Sequence, residues 1–510
     1  MGYKYIQINL PTNYSEDELR KHVQKQLGIN EFSIKIDKKS LDARNKNNIH
    51  WQLSVNIVSN QIKSDNYFAP KSLEINYKKR DKKVIVVGSG PAGFFAAHVL
   101  QLAGYAVTII ERGSMVEKRT KEIKLLDTAG KFSEQDNYAF GEGGAGTFSD
   151  GKLTSRSKHI SAERQFILSE YVKAGAPAEI LFLAHPHVGT DNLKLVVENL
   201  RKQFLENGGE FLFNMQLEDL IIENRKIKKI ICNSIEYYAD FVILATGHSA
   251  YDTYRMLIKR GINFETKNFA IGHRIEHEQT LINKAQWGKE NISGLKAAEY
   301  RLTSRTKSGL PVYTFCMCPG GIVVPAAAYN EKSVVNGMSY FARNGHFSNA
   351  GCVVGIHPDM LVGHHSTPTE ILDWMDKREE EFYNFSNSYM IPANIASDYL
   401  KKKESNKLNK SSYPLGIKSA PLYNMLPSIV TDAIAEGLVD FARQLKGFDS
   451  GTLMGFESKT SSPLQVSREK DGKCIGFDNL YFVGEGSGFS GGIISSAADG
   501  IKCALSLCSK

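Results

Sequence analysis

Gly88, Gly90 and Gly93 stand at the spacing G-x-G-x-x-G, with Ser89, Pro91 and Ala92 among them. The run before them, Val84 to Val87, is apolar and β-branched. Glu111, followed by Arg112, comes about 20 residues after the glycines. These residue types in this order suit the binding of a dinucleotide. The first glycine allows a tight turn, the second lets the backbone approach a pyrophosphate, and the third lets a helix lie close on a sheet. A carboxylate at the position of Glu111 meets a pair of ribose hydroxyls.

Two further glycine runs carry related chemistry. In Phe140 to Lys152 the residues Gly141, Gly143, Gly144, Ala145, Gly146 and Thr147 precede Asp150 and Lys152. No apolar strand leads into this run and no apolar helix follows. It therefore reads as irregular backbone whose successive N–H groups form a nest for something flat or anionic. Gly484 to Gly492 contains Gly486, Gly488 and Gly491, again at fingerprint spacing between a strand and a helix. No second strand with a ribose acid follows before Lys510, so this turn is expected to complete the site begun at Gly88.

The elements that must position these residues are readable from periodicity. Val84–Val87 is a buried strand, Pro91 opens a helix with Phe94, Ala97, Leu100 and Gln101 at helical spacing, and Ala106 to Ile110 is the next strand. Asp240 to Leu244 is a fully apolar strand that ends in Ala245, Thr246 and Gly247, small residues that let a nucleotide pass the carboxyl end of a parallel sheet. Thr190 or Asp191 is expected to cap a helix over 193–205. Strands are expected over 210–214, 217–223, 226–232 and 235–238 as one meander. Between about 264 and 450, strand-like pieces alternate with turns and two helices follow, over 369–385 and 427–445, predicting a mixed sheet with covering helices. Strand Asn479 to Val483 and a helix over 493–507 close the pattern.

Residues 1–80 read as a separate αβ unit of ferredoxin-like type. Ser15 and Glu18 form a capping box that opens a helix to about Leu27, between strands over 3–10, 31–37 and 50–58. The expected domains are thus 1–80, 81–263, 264–450 and 451–510, the second and fourth forming one discontinuous α/β domain of Rossmann type.

Other candidates are weaker. Asp150 and Lys152 can orient a substrate or relay a proton. Cys316 and Cys318 form Cys-x-Cys, which on a regular strand shares one face and lacks the spacing of a Cys-x-x-Cys redox pair. Two thiolates without two further clustered ligands fall short of a zinc site, and no metal is expected. His273, Arg274, Glu276 and His277 alternate on a strand and are not assigned a catalytic role.

Composition sets the outer limits. The chain has 510 residues, a net charge of +8 and seven scattered cysteines, which argue against a disulfide framework. No apolar run reaches membrane-spanning length and the N-terminus lacks a signal core, so a cytoplasmic protein is expected. Residues 1–80 hold 14 Lys and Arg against 8 Asp and Glu. That excess is ordinarily a solvated face, and nucleic acid stays open as a partner.

The glycine motifs together resemble the FAD-binding domain of glutathione-reductase-like flavoproteins. The chain is more similar still to the bacterial FAD-dependent dehydrogenases of unassigned substrate, through Val86 to Gly93, Phe140 to Leu153, Ala245 to Ala250, Tyr313 to Gly321 and Gly484 to Ile493. This resemblance spans roughly residues 81–510. It implies FAD, with Gly88, Gly90 and Gly93 at the pyrophosphate and Glu111 at the adenosine ribose. Arg112, the loop Gly143–Thr147 and Ala245–Gly247 belong to the same implied site. Glu485 stands where the superfamily usually has an Asp toward the ribityl chain. Gly491, Gly492 and Ile493 begin a helix whose N–H groups would face the flavin N1/O2 edge. The implied activity is hydride transfer through flavin N5 to or from a small molecule, with NAD(P)H at most a transient donor. Two alternatives remain open: a flavoprotein that modifies or binds RNA, and a flavin fold used only for binding. The substrate and oligomeric state are not legible.

Overall fold

The computed structural model describes residues 2–63 and 73–509. Val84, Ile85, Val86 and Val87 form the middle of a five-stranded sheet whose order is Leu480–Phe482, Phe241–Leu244, Lys83–Val87, Ala106–Ile110 and Glu210–Leu212. All four pairings are parallel. Such strands must be covered on both faces, which is why they are continuously apolar rather than alternating. Helix Pro91–Leu102 starts at N-cap Gly90, and helix Ile493–Cys508 starts at N-cap Gly492. The two helices cross closely: a Cβ on Gly500 would stand 2.1 Å from the Ala92 carbonyl oxygen.

The strand at Glu210 corrects the expected meander. It pairs with Ala106–Ile110, and only Leu217–Glu223, Lys226–Cys232 and Ile235–Tyr237 form the antiparallel hairpin sheet. The helix expected over 193–205 runs from Gly189 to Glu206 without a side-chain cap. Thr190 instead donates to the Thr147 carbonyl (3.1 Å), and Asp191 accepts the Phe341 N–H (2.9 Å).

A seven-stranded mixed sheet forms the second body, in the order Thr303–Arg305, Pro311–Cys318, Phe347–Ile356, Phe269–Glu278, Thr452–Glu457, Ile391–Ile395 and Ile417–Ser419. Helix Ser428–Gln444 lies against it, so close that a Cβ on Gly437 would meet Val312 at 2.4 Å. The chain does not leave this sheet at 451, as the expected boundary had it. Thr452–Glu457 pairs with both Phe269–Glu278 and Ile391–Ile395, and the return to the parallel sheet comes at Leu480.

In the N-terminal unit helix Glu16–Leu27 accompanies strands Gly2–Pro11, Ser33–Asp42 and His50–Ser59 in an antiparallel sheet, with the third strand between the other two. The capping box is present, with Ser15 Oγ accepting from Glu18 N at 3.2 Å. The unit is docked: Lys39 N–H donates to the Phe182 carbonyl (2.8 Å) and Thr12 Oγ to the Ser293 carbonyl (2.8 Å). Part of the stretch 59–77, unassigned from sequence, lies outside the described residues. Among the described residues no helix is long and apolar enough to cross a membrane.

Candidate functional site

The two sheets meet around a cavity of about 1280 Å³. Ligand pockets usually measure roughly 300–1,000 Å³, so there is room for an extended molecule and a second, smaller one.

One wall is backbone. Gly88–Ala92, Gly144–Gly146, Ala245–Gly247, Gly484, Glu485 and Gly491–Ile493 line it together. The three glycine runs converge. A Cβ on Gly144 would stand 3.1 Å from Gly90 Cα, and one on Gly146 would stand 3.3 Å from Ile493 and 3.9 Å from Pro91. Gly146 therefore sits between the starts of the two helices, whose first-turn N–H groups have no intrahelical partner. Gly93, Gly143 and Thr147 do not line the cavity. A Cβ on Gly93 would strike the Gly88 carbonyl at 1.9 Å, so this glycine serves the helix-to-sheet approach. Gly143 N–H donates to Ser89 Oγ (3.2 Å) and Thr147 Oγ to the Glu142 carbonyl (3.3 Å).

Two buried side chains fix the middle glycine run. The Arg119 guanidinium, fully buried, donates to the carbonyls of Asn137 (3.0 Å), Gly141 (3.2 Å), Glu142 (2.8 Å) and Gly144 (2.8 Å). Glu111 accepts from Ser89 N (3.0 Å), Ser89 Oγ (2.6 Å), Gly113 N (3.0 Å) and Gly141 N (3.1 Å). Both carboxylate oxygens are thus engaged by the chain itself, and Glu111 ties the first glycine turn to the second glycine run. Neighbouring Arg112 is paired with Asp252 (3.0 Å) and lies 3.9 Å over the Phe140 ring.

The facing wall is made of side chains. Asp150 is bracketed by Arg343 (2.6 Å) and Lys152 (3.1 Å), and Ser339 donates to it as well. Burial disfavours its charge, but Lys152 and Arg343 outweigh that and hold its carboxyl well below the usual range. Lys152 keeps 27% of its side chain exposed against 1% for Asp150, and both residues line the cavity. Glu299 joins the cluster through His185 (3.1 Å) and Arg343 (3.6 Å). Burial opposes its ionisation too, but His185 and the cations bring it down to about 2. Arg156 and Arg301, also on the cavity, make no ion pair among the described residues.

Cys316 lines the cavity and Cys318 lies buried behind it. The expectation of a regular strand fails here, because pairing with Phe347–Ile356 shifts between Phe315 and Cys318. His273 and His277 are structural. Their ring nitrogens bond the carbonyls of Gly455 (2.7 Å) and Phe448 (2.7 Å), and burial pulls both pKa values down to about 4. Among the described residues, no three His, Cys, Asp or Glu side chains are placed to share a metal ion.

Sequence reasoning missed Arg119, Arg343, Glu299 and His185. Each is a single charge with no local motif, and its partner lies tens of residues away.

Residues 82–284 match the family "Pyridine nucleotide-disulphide oxidoreductase", residues 268–460 match "FAD-dependent protein, C-terminal domain-like", and residues 3–58 match a domain of unknown function. An "Uncharacterized protein" of Clostridium beijerinckii is 39% identical over 526 residues, covering 99% of this chain and 98% of that one. The chain belongs to this family of FAD-dependent flavoproteins, within the glutathione-reductase-like superfamily. FAD is its cofactor. A "Thiamine thiazole synthase" of Aeropyrum pernix is 29% identical over 194 residues, 35% of this flavoprotein and 59% of that chain. Among solved structures, CtdE in complex with FAD covers 84% of the flavoprotein and 85% of its own chain at 13% identity and a TM-score of 0.34. A flavoprotein/dehydrogenase from Cytophaga hutchinsonii covers 84% and 77% at 14% identity and a TM-score of 0.36.

The site of the flavoprotein fits the cofactor. A Cβ on Gly90 would meet only Gly144 Cα, at 3.9 Å, so the turn is open on the side that faces the cavity. His248, also on the cavity, pairs through Nδ1 with Glu485 (3.5 Å) and leaves Nε2 buried without a partner among the described residues.

Proposed function

We propose that this flavoenzyme is an oxidoreductase that transfers hydride to or from a small anionic molecule. The observation that carries the reading is one cavity whose lining joins backbone at Gly88–Ala92, Gly144–Gly146 and Gly491–Ile493 to the side chains of Lys152, Arg156, Arg301 and Arg343, with Asp150 and Glu299 among them. Bound FAD supplies a two-electron hydride acceptor and donor at flavin N5.

In this reading the first-turn N–H groups after Gly90 meet the pyrophosphate, and those after Gly492 meet the flavin edge that becomes negative on reduction. A helix terminus of about 1 kcal/mol tunes a two-electron couple by only about 20 mV, so it adjusts the potential without choosing the reaction. Lys152 presents its ammonium to the substrate while Asp150 and Arg343 fix its place. Arg156 and Arg301 supply unpaired positive charge that attracts an anion into the cleft. Residues 81–263 and the segment from about 468 onward form the discontinuous FAD domain, and the N-terminal unit is a half or whole ferredoxin-like fold in its β-α-β-β order.

NAD(P)H acts at most as a transient donor, since the five-stranded sheet is the one all-parallel sheet of more than two strands among the described residues. The RNA alternative draws no support from Lys39. Its ammonium stacks on Tyr14 (4.9 Å) and Trp51 (4.5 Å), inside the docked face.

The test is anaerobic reduction of the purified holoprotein followed by reoxidation with a panel of small carboxylate acceptors. Retained FAD that cycles, with faster reoxidation by anions than by neutral analogues, is expected. Absence of FAD, or no preference for anions, would overturn the reading.

A further inference from the structure

Val312 faces the helix layer, since a Cβ on Gly437 of helix Ser428–Gln444 would stand 2.4 Å from it. Successive side chains on a strand point to opposite faces, so Pro311, Tyr313 and Phe315 of strand Pro311–Cys318 share the other face. That face is open. Pro311 is exposed, Tyr313 half-buried and Phe315 41% exposed, and all three line the cavity. The neighbouring strand makes room for them: Gly355 carries no Cβ where one would stand 2.9 Å from Pro311 and 3.7 Å from the Tyr313 ring. At about 3.3 Å per residue the three side chains form an apolar stripe about 13 Å long. The stripe ends where pairing shifts between Phe315 and Cys318, and there Lys152 donates to the Met317 carbonyl.

Positive charge lies beside the stripe. Arg156 is near enough to Tyr313 for its charge to oppose the rise that burial gives the phenol. Arg301 stands two residues before Thr303, the register partner of Tyr313. Both arginines are exposed and line the cavity, and neither makes an ion pair among the described residues. Apolar side chains left open inside a cavity and bordered by unpaired cations fit a ligand that is apolar along its length and negative at one end. A short acid reaches a cation and leaves Phe315 in water. A sugar acid would lay hydroxyls against Pro311 and Phe315, whose side chains offer no hydrogen bond.

We propose that the stripe of Pro311, Tyr313 and Phe315 is a substrate subsite for the apolar body of an aryl or long-chain acyl carboxylate, whose carboxylate is drawn to the cations beside it. The inference rests on the reading of the cavity as the site of an anionic substrate and narrows the class of that substrate. FAD belongs to the glycine lining on the parallel sheet, whereas the stripe belongs to the mixed sheet and is left for the second molecule. Phe315, the more exposed of the two aromatic side chains, sets how strongly the body is held. Arg156 and Arg301 select for charge.

The test is isothermal titration calorimetry of FAD-loaded protein with acetate, octanoate, naphthoate and the matched alcohols octanol and naphthalenemethanol. Octanoate and naphthoate are expected to bind at least about tenfold more tightly than acetate, and Phe315→Ala to remove most of that gain while acetate binding stays unchanged. The alcohols are expected to bind about tenfold more weakly than the matching acids. Octanoate and naphthoate no tighter than acetate would overturn the subsite and leave an anion site standing. Alcohols equal to their acids would overturn the anionic substrate in both readings. Loss of FAD from Phe315→Ala would mean that the flavin covers the stripe, and a change in its sedimentation mass would mean that a second copy of the chain does. Either result would overturn the proposal. The wild-type series decides the question even where the alanine variant fails to fold.

Discussion

On one side of the cavity the lining is glycine Cα and backbone N–H from Gly90, Gly144 and Gly491. On the other it is the side chains of Lys152, Arg343, Glu299 and Cys316. The backbone side is shaped by residues that have no side chain, and its failures are steric. The side-chain side is shaped by charges that neutralise one another across long stretches of sequence, such as Asp150 with Arg343, and its failures are electrostatic. The contrast is useful because a cofactor common to many enzymes can be held by generic backbone, whereas a particular substrate needs particular side chains.

The largest effect is expected at Gly93. Its Cβ would lie 1.9 Å from the Gly88 carbonyl oxygen, a backbone atom that cannot move without parting the helix from the sheet. Gly93→Ala should cost about 3 kcal/mol or more and give little folded protein, read by thermal unfolding. A stable variant would show that the helix can shift. Next comes Asp150→Asn, which leaves Arg343 and Lys152 without their buried counter-charge and should cost about 3–5 kcal/mol in chemical denaturation. Because the Asp150 pKa is held below its unfolded value, the stability it adds is present above the ordinary aspartate range and lost as pH falls through the folded value. The gap between wild type and variant should stay constant from about pH 5 to 8 and narrow below about pH 4.

Gly90→Ala separates binding from folding. Its φ of −64° suits any residue and its Cβ would have a normal 3.9 Å neighbour, so the variant should melt with wild-type apoprotein. FAD affinity should nonetheless fall about tenfold or more, a loss of about 1.4 kcal/mol, measured by fluorescence titration. Unchanged affinity would remove Gly90 from the cofactor wall. The smallest effect is at Glu142, which burial pushes up to about 7 against the help of the Val116 N–H. The folded state keeps this proton after the unfolded state has lost it, so stability is lost as pH rises from about 4.5 to 7. Glu142→Gln should flatten that slope, by of order 1 kcal/mol, in melts between pH 5 and 8.

The backbone wall was legible in the sequence because its information is local. Strand, glycines, helix and acid follow one another from Val84 to Glu111, and the strands at Phe241 and Leu480 announce themselves by apolarity. The side-chain wall was not. Nothing near Arg343 in the chain points to Asp150, and Arg119 sits in a polar helix with no outward sign that it clamps four carbonyls. The bulge at Cys316 was invisible for a related reason: register depends on the partner strand at Gly351 and Asn349, which the local pattern does not contain. Thr452–Glu457 was misassigned for the same cause, since a strand in the middle of a sheet is identified by its neighbours. Glu111 shows a subtler limit. It follows the strand Ala106–Ile110 and lines the cavity, yet its four bonds to Ser89, Gly113 and Gly141 make it a tie between glycine runs.

The most direct test of the two-walled site is a crystal structure of the holoprotein. FAD is expected in the cavity with its pyrophosphate at the start of helix Pro91–Leu102 and its flavin ring between Gly491–Ile493 and the Lys152–Cys316 side. FAD bound elsewhere, or a flavin ring turned away from Lys152 and Cys316, would contradict it.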